Sequence, residues 1–227
     1  MSSQLEAPIG AQSSAVSGRR YRFVSATSLF DGHDASINIF RRILQASGAE
    51  VIHLGHNRSA QEVVEAAVQE DVHGIALTSY QGGHNEYFRY IRDLLVEHGC
   101  GHVRIFGGGG GVILPEEIEA LMAYGITRIY SPDDGRAMGL QGMIDDMIRA
   151  CDFDVGSVEG LEVAALDWRR HREVARWISA AENAPQAFAS RMADLRARAD
   201  AAKTPVLGIT GTGGSGKSSF VDEIVRR

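Results

Sequence analysis

Asp31 and His33 stand two residues apart, where an apolar run ends and a helical pattern begins. An imidazole at the mouth of a strand-to-helix loop, with a carboxylate two residues upstream, suits a metal-ligating histidine. One ring nitrogen faces the metal and the other donates its N–H to the carboxylate, which fixes the tautomer and raises basicity. Asp-x-His alone is a weak signal, because both residues are common in turns that bind nothing. A second chemical stretch lies at the other end of the chain. Gly211-Thr212-Gly213-Gly214-Ser215-Gly216-Lys217-Ser218 fits the phosphate-binding loop pattern. It follows the apolar Pro205–Thr210, expected to be a buried strand, and precedes a helical run from Ser219. In that context the amides of Gly213, Gly214, Ser215, Gly216 and Ser219 cradle phosphates at a helix N-terminus. Lys217 reaches the outer phosphates as the candidate catalytic contact, and Ser218 holds magnesium.

The elements that must position these groups alternate strand and helix from Arg20 to about Ala150. Strands are predicted at Tyr21–Thr27, Val51–Leu54, Gly74–Thr78, Val103–Phe106 and Arg128–Tyr130. Phe40, Ile43 and Leu44 share one face of the helix after His33. Ser59 and Glu62 form a capping box, and Val63, Val64, Ala67 and Val68 follow at helical spacing. Helices are also expected at Tyr87–Val96, from Pro115, and at Met138–Ile148. Five short apolar strands separated by amphipathic helices predict an α/β fold, a parallel five-stranded sheet of flavodoxin-like (Rossmann-like) order. Ligands of such sheets bind beyond the carboxyl ends of the strands. Those ends carry Asp31-Gly32-His33, Thr78-Ser79-Tyr80-Gln81-Gly82-Gly83, the glycine run Gly107–Gly111, and Ser131-Pro132.

Composition narrows the partners. The 227 residues are 44% apolar and 23% charged, with a formal net charge of -6, which leaves no electrostatic footprint for nucleic acid. With two lysines in the chain, no polybasic membrane patch arises, and no apolar run approaches the ~18 residues of a spanning helix. Residues 1–19 lack the features of a signal peptide and read as a disordered leader. Cys100 and Cys151 lie far apart, outside metal-ligand spacing, as expected of a reducing cytoplasmic compartment.

The rim resembles the cobalamin-binding domain of the adenosylcobalamin-dependent acyl-CoA mutases. That family's marks are Asp-x-His-x-x-Gly, Ser-x-Leu and Gly-Gly. Here they fall on Asp31-Gly32-His33 with Ser36 in place of the last glycine, on Thr78-Ser79-Tyr80, and on Gly110-Gly111. The resemblance covers roughly Tyr21 to Ala150. It implies that His33 replaces the dimethylbenzimidazole of adenosylcobalamin as lower axial ligand of cobalt. It also implies that the freed nucleotide tail runs between the first and third strand ends, near Thr78 or Ser79. Asp31, Gly32, Gly83, His84, Gly110, Gly111 and Ser131 complete the implied cofactor contacts. The remaining histidines (His53, His56, His73, His98, His102 and His171) have no mutual metal spacing.

From Cys151 to Lys203 the pattern becomes helical. Arg169-Arg170-His171-Arg172 adjoins Trp168, but eight Lys or Arg stand against nine Asp or Glu in this segment. A solvated face therefore outweighs nucleic-acid binding. Val174, Trp177, Ile178 and Ala181 repeat at helical spacing, and Phe188, Met192, Leu195 and Ala199 form a second seam. The expected division is thus a leader (1–19), a cobalamin domain (20–150), a helical linker (151–203) and the start of a P-loop domain (204–227). That order resembles the fused isobutyryl-CoA mutases, in which a GTPase chaperone follows the cobalamin domain. The resemblance implies GTP with Mg2+, an acyl-CoA substrate bound by a domain outside this chain, a homodimer, and a radical carbon-skeleton rearrangement of isobutyryl-CoA to n-butyryl-CoA. A non-catalytic cobalamin carrier or sensor, or a mutase of another acyl-CoA, are the alternatives. A receiver-like signalling domain is disfavoured, since Ser79 and Ser131 occupy the places of its aspartate and lysine.

Overall fold

The computed structural model describes residues 20–227; the leader expected at 1–19 lies outside the described residues. The chain runs β1 (Arg22–Ser28), α1 (Ala35–Ala46), β2 (Glu50–Arg58), α2 (Ala60–Gln69), β3 (Gly74–Thr78), α3 (His84–Glu97), β4 (Arg104–Gly108), α4 (Pro115–Tyr124), β5 (Arg128–Tyr130) and α5 (Pro132–Ala150). Three helices follow: α6 (His171–Asn183), α7 (Pro185–Ala202) and α8 (Lys217–Arg226). All strand pairs are parallel, in the order β2-β1-β3-β4-β5. This is the flavodoxin-like order expected.

Alternation along the strands divides the core between two faces. Val24, Ile75, Leu77, Ile105 and Ile129 pack in one cluster with Val63, Val64, Ala67 and Val68 of α2 and with Phe88 and Ile91 of α3. Phe23, Ala76, Phe106 and Tyr130 pack in the other with Ile37 and Leu44 of α1 and Met143, Ile144 and Met147 of α5. The capping box at α2 is formed: Ser59 Oγ accepts from the Glu62 N–H at 3.2 Å, and Glu62 accepts from the Ser59 N–H at 2.9 Å.

Three local readings change. β2 extends to Arg58, beyond the expected Leu54. The last helix of the sheet domain begins at Pro132, six residues before the expected start, because Ser131 and Asp134 form a capping box there. Gly139, at φ 66° and ψ 172°, breaks α5 into two helical pieces, a backbone region open essentially to glycine alone. Pro205 to Thr210 forms no buried strand: Val206 and Leu207 are 96% and 75% exposed, and no strand among the described residues pairs with them.

The first compact unit ends at Phe188 and the second begins at Ala189. Within the first, α6 lies against α2 and buries Ala175, Trp177, Ser179 and Ala180. Ile178, expected on that stripe, is 52% exposed. Trp177 meets Phe188 edge-on at 5.7 Å.

Candidate cobalamin site

The first group at the rim is an ordered dyad. Asp31 is buried, while the side chain of His33 is 76% exposed. His33 Nδ1 lies 2.7 Å from Asp31 Oδ1, which also accepts the His33 backbone N–H at 2.9 Å. The second carboxylate oxygen accepts the Tyr80 N–H at 2.5 Å. Burial opposes ionisation of Asp31, but the Tyr80 and His33 amides and the imidazole outweigh it and hold the carboxyl below its usual range. An ionised Asp31 accepts a hydrogen bond from Nδ1–H, which leaves the lone pair on Nε2, the ring nitrogen away from the carboxylate. One buried carboxylate thus joins the His33 loop to the end of β3.

Beside the dyad lies a cavity of about 230 Å³. Its walls are Ser36, Ile37 and Phe40 from α1, Thr78 and Tyr80 from the end of β3, Phe106 and Gly107–Gly110 from β4, and Ser131, Pro132, Gly135, Met143 and Met147 around α5. Its origin is legible residue by residue. A Cβ on Gly107 would collide with the Phe88 ring and approach Ile129 Cδ1 to 2.7 Å, so the space beside that glycine is filled. A Cβ on Gly108, on the opposite face of the sheet, would meet only the Tyr130 carbonyl oxygen at 3.4 Å. Small residues at Ala76, Thr78 and Gly108 therefore leave a hollow under α1 and α5.

The sequence-predicted residues separate into three groups. Asp31, Gly32 and His33 form the exposed loop, and Thr78, Gly110 and Ser131 line the cavity. Ser131 does so while capping α5, its hydroxyl donating to Asp134 Oδ2 at 2.8 Å. Ser79 and Gly111 lie outside the lining: Ser79 is fully buried and bonded to Ser28 Oγ at 2.9 Å, and Gly111 is exposed. The implied path between the first and third strand ends is closed by that bond and by Thr27 Oγ1 to Thr78 Oγ1 at 3.0 Å. The open space lies instead over β3 and β4. Gly83 caps α3 away from the cavity. His84 is buried with both ring nitrogens engaged, Nδ1 at 3.1 Å from Gln81 O and Nε2 at 3.0 Å from Glu117 Oε2, so it joins α3 to α4 rather than facing a cofactor.

The His84–Glu117 contact makes a pH prediction. The Leu114 N–H, then Asn85 and His84, outweigh desolvation and hold the Glu117 carboxyl below its usual range. A carboxyl whose folded pKa is depressed stabilises the fold above its unfolded pKa of about 4.3, and that stabilisation is lost as pH falls through the folded value. Glu117→Gln should lower the urea midpoint at neutral pH, and the gap to the parent should narrow below about pH 4. A gap independent of pH would refute this.

Sequence reasoning missed Ile37, Phe40, Phe106, Met143 and Met147, which read as ordinary core. It also noted Tyr80 and Ser36 only as departures from a motif. Their hydroxyls bond to each other at 3.0 Å. Cys100 and Cys151 are buried, and burial pushes both thiols up, Cys151 to about 12.

Residues 21–137 match the B12 binding domain family model. The chain belongs to the B12-binding domain family. The 2-hydroxyisobutanoyl-CoA mutase small subunit of Aquincola tertiaricarbonis is 33% identical over 103 residues, covering 45% of this chain and 74% of that protein. The fused isobutyryl-CoA mutase of Cupriavidus metallidurans is 59% identical over 217 residues, which is 94% of this chain and 20% of that protein. The corresponding protein of Geobacillus kaustophilus is 59% identical over 212 residues, covering 91% of this chain and 20% of its own length. This B12-binding chain thus spans about a fifth of those two relatives. A coverage of 94% leaves too few residues outside the alignment to omit the whole of 204–227. The lone pair on His33 Nε2 suits an axial cobalt bond, and the glycine-walled cavity beside it suits the flat, bulky tail of cobalamin.

In the second unit, Gly214 and Gly216 take positive φ of 77° and 80°, and α8 begins at Lys217. Lys217 Nζ donates to Thr212 O at 2.6 Å and lies 3.5 Å from Ser215 Oγ. The ammonium is folded over its own loop. Gly213, Ser218 and Ser219 are exposed around it. Among the described residues no helix is long and apolar enough to cross a membrane.

Proposed function

We propose that this chain is the cobalamin-holding part of an adenosylcobalamin-dependent acyl-CoA mutase that interconverts isobutyryl-CoA and n-butyryl-CoA. The observation that carries it is His33, whose Nδ1 is held 2.7 Å from a buried carboxylate while its ring faces out beside the cavity. Bound adenosylcobalamin supplies the radical that such a rearrangement needs. The residues here do the rest: Asp31 fixes the His33 tautomer, His33 holds the corrin in place, and Thr78, Gly108 and Gly110 receive its tail. The acyl-CoA is bound by a part of the longer protein outside this chain.

The glycine-rich loop Gly211–Gly216 and the helix α8 that follows it open a GTP-binding chaperone domain. Lys217 contacts the outer phosphates, Ser218 carries Mg2+, and the amides from Gly213 to Ser219 enclose the anion. The full protein is a cytoplasmic homodimer that binds neither nucleic acid nor membrane. The two relatives 59% identical to this chain, both fused isobutyryl-CoA mutases, support the mutase reading. Assaying the full-length protein for conversion of isobutyryl-CoA to n-butyryl-CoA, with and without adenosylcobalamin, tests it. The 227-residue chain alone should show neither isomerase nor appreciable GTPase turnover. No cobalamin-dependent conversion of isobutyryl-CoA by the full protein would overturn the substrate.

A further inference from the structure

Tyr80 borders both halves of the site. Its backbone N–H is anchored on Asp31 Oδ2 at 2.5 Å, so the main chain is tied to the loop that carries the ligand. Its ring centroid lies 5.6 Å from that of His33. On the other side the ring lies so near Gly110 that a Cβ there would come within 3.1 Å of Tyr80 Cε1. Its hydroxyl reaches across to Ser36 Oγ at 3.0 Å, in the first turn of α1. The ring is half-buried and lines the cavity, as does Ser36. His33 does not line the cavity. Tyr80 therefore stands between the exposed imidazole and the hollow, closed by one hydroxyl–hydroxyl bond.

We propose that the Ser36–Tyr80 pair is a latch on this cavity, which opens to admit the nucleotide tail of an intact cobalamin and stays irrelevant to a corrinoid that has none. The inference rests on the reading that His33 takes cobalt and the cavity takes the tail. The backbone anchor on Asp31 fixes where the hinge lies: rotation of the Tyr80 side chain opens the entry while His33 keeps its carboxylate. A latch of one exchangeable hydrogen bond slows entry modestly. A net bond of this kind is worth about 1 kcal/mol, so its loss should change the rate roughly fivefold.

The test uses adenosylcobalamin and adenosylcobinamide, which lacks the nucleotide. Association with the chain is followed by stopped-flow quenching of tryptophan fluorescence. Tyr80→Phe and Ser36→Ala remove the bond from opposite ends and keep the ring and the helix start. Each should speed cobalamin association roughly fivefold, the double variant should gain nothing further, and cobinamide rates should not change. Unchanged cobalamin rates, or additive gains, would overturn the latch. Equal acceleration of cobinamide would also overturn it, because the pair would then shield His33 and not the cavity. If the parent chain binds cobinamide and no cobalamin, the cavity does not take the tail and the latch falls with it. Binding of neither corrinoid sinks the underlying site.

Discussion

His33→Ala should cost this chain stable retention of cobalamin, with affinity falling on the order of a hundredfold or more. Loss of a residue that merely orients a metal ligand costs about 10–100-fold, and loss of the ligand itself exceeds that. His84, the other histidine placed at the rim by sequence, is buried with both nitrogens engaged. The decisive measurement is the electron paramagnetic resonance of cob(II)alamin bound to chain labelled with nitrogen-15 at histidine. An axial imidazole of the protein splits each cobalt line into two, whereas the cofactor's own unlabelled base splits it into three. The parent should show the doublet and His33→Ala should not. Asp31→Ala should fall between the two in affinity, since the ring would keep its donor atom and lose the partner that sets its tautomer. A doublet persisting in His33→Ala would remove His33 from cobalt.

The parts of the fold legible in sequence are those where local chemistry and tertiary packing agree. β3 and β5 have the bounds their sequence predicts because both are short apolar runs between polar breaks, and the Ser59–Glu62 box announces α2 by mutual hydrogen bonding. α5 was half missed for the opposite reason. Its first turns read as loop because Pro132 and Gly135 interrupt the periodicity, although Ser131 and Asp134 cap them. The apolar Pro205–Thr210 reads as a strand by composition, yet a strand also needs a neighbour for its backbone groups, and that lies beyond what a local pattern specifies.

The site divides along the same line. Asp31 and His33 are close in sequence, so their bond could be inferred from spacing. The cavity depends on what does not fill it, which is a property of facing elements. Phe88 of α3 occupies the space beside Gly107, while nothing from α1 or α5 does so for Gly108. No sequence pattern distinguishes those adjacent glycines. Likewise, Ser36 and Tyr80 look like two separate departures from a motif until the fold brings their hydroxyls to 3.0 Å.

The glycine run itself supplies the second large effect. Gly109→Ala should destabilise the chain by about 3 kcal/mol, at the upper end of what overpacking costs. A Cβ at this buried position would overlap the Ser79 carbonyl oxygen and lie 3.0 Å from Ile113 Cγ1. The first neighbour is backbone, so no rotamer change relieves the overlap. Nor can the strands easily part, because the Ser79 N–H donates to Gly108 O at 2.9 Å across the same junction. Any shift of Ser79 carries Tyr80 with it, and Tyr80 is the residue whose N–H holds the Asp31 carboxylate. The variant should therefore lose cobalamin affinity together with stability. Gly111→Ala, two residues on, is the matched control. It is exposed, with no atom within 4 Å of a built Cβ, and should change stability by no more than about 0.5 kcal/mol. Urea midpoints and cobalamin retention measured for both variants decide the matter. If the two substitutions are equally tolerated, the close approach of the β4 loop to Ser79 is not what holds this rim together.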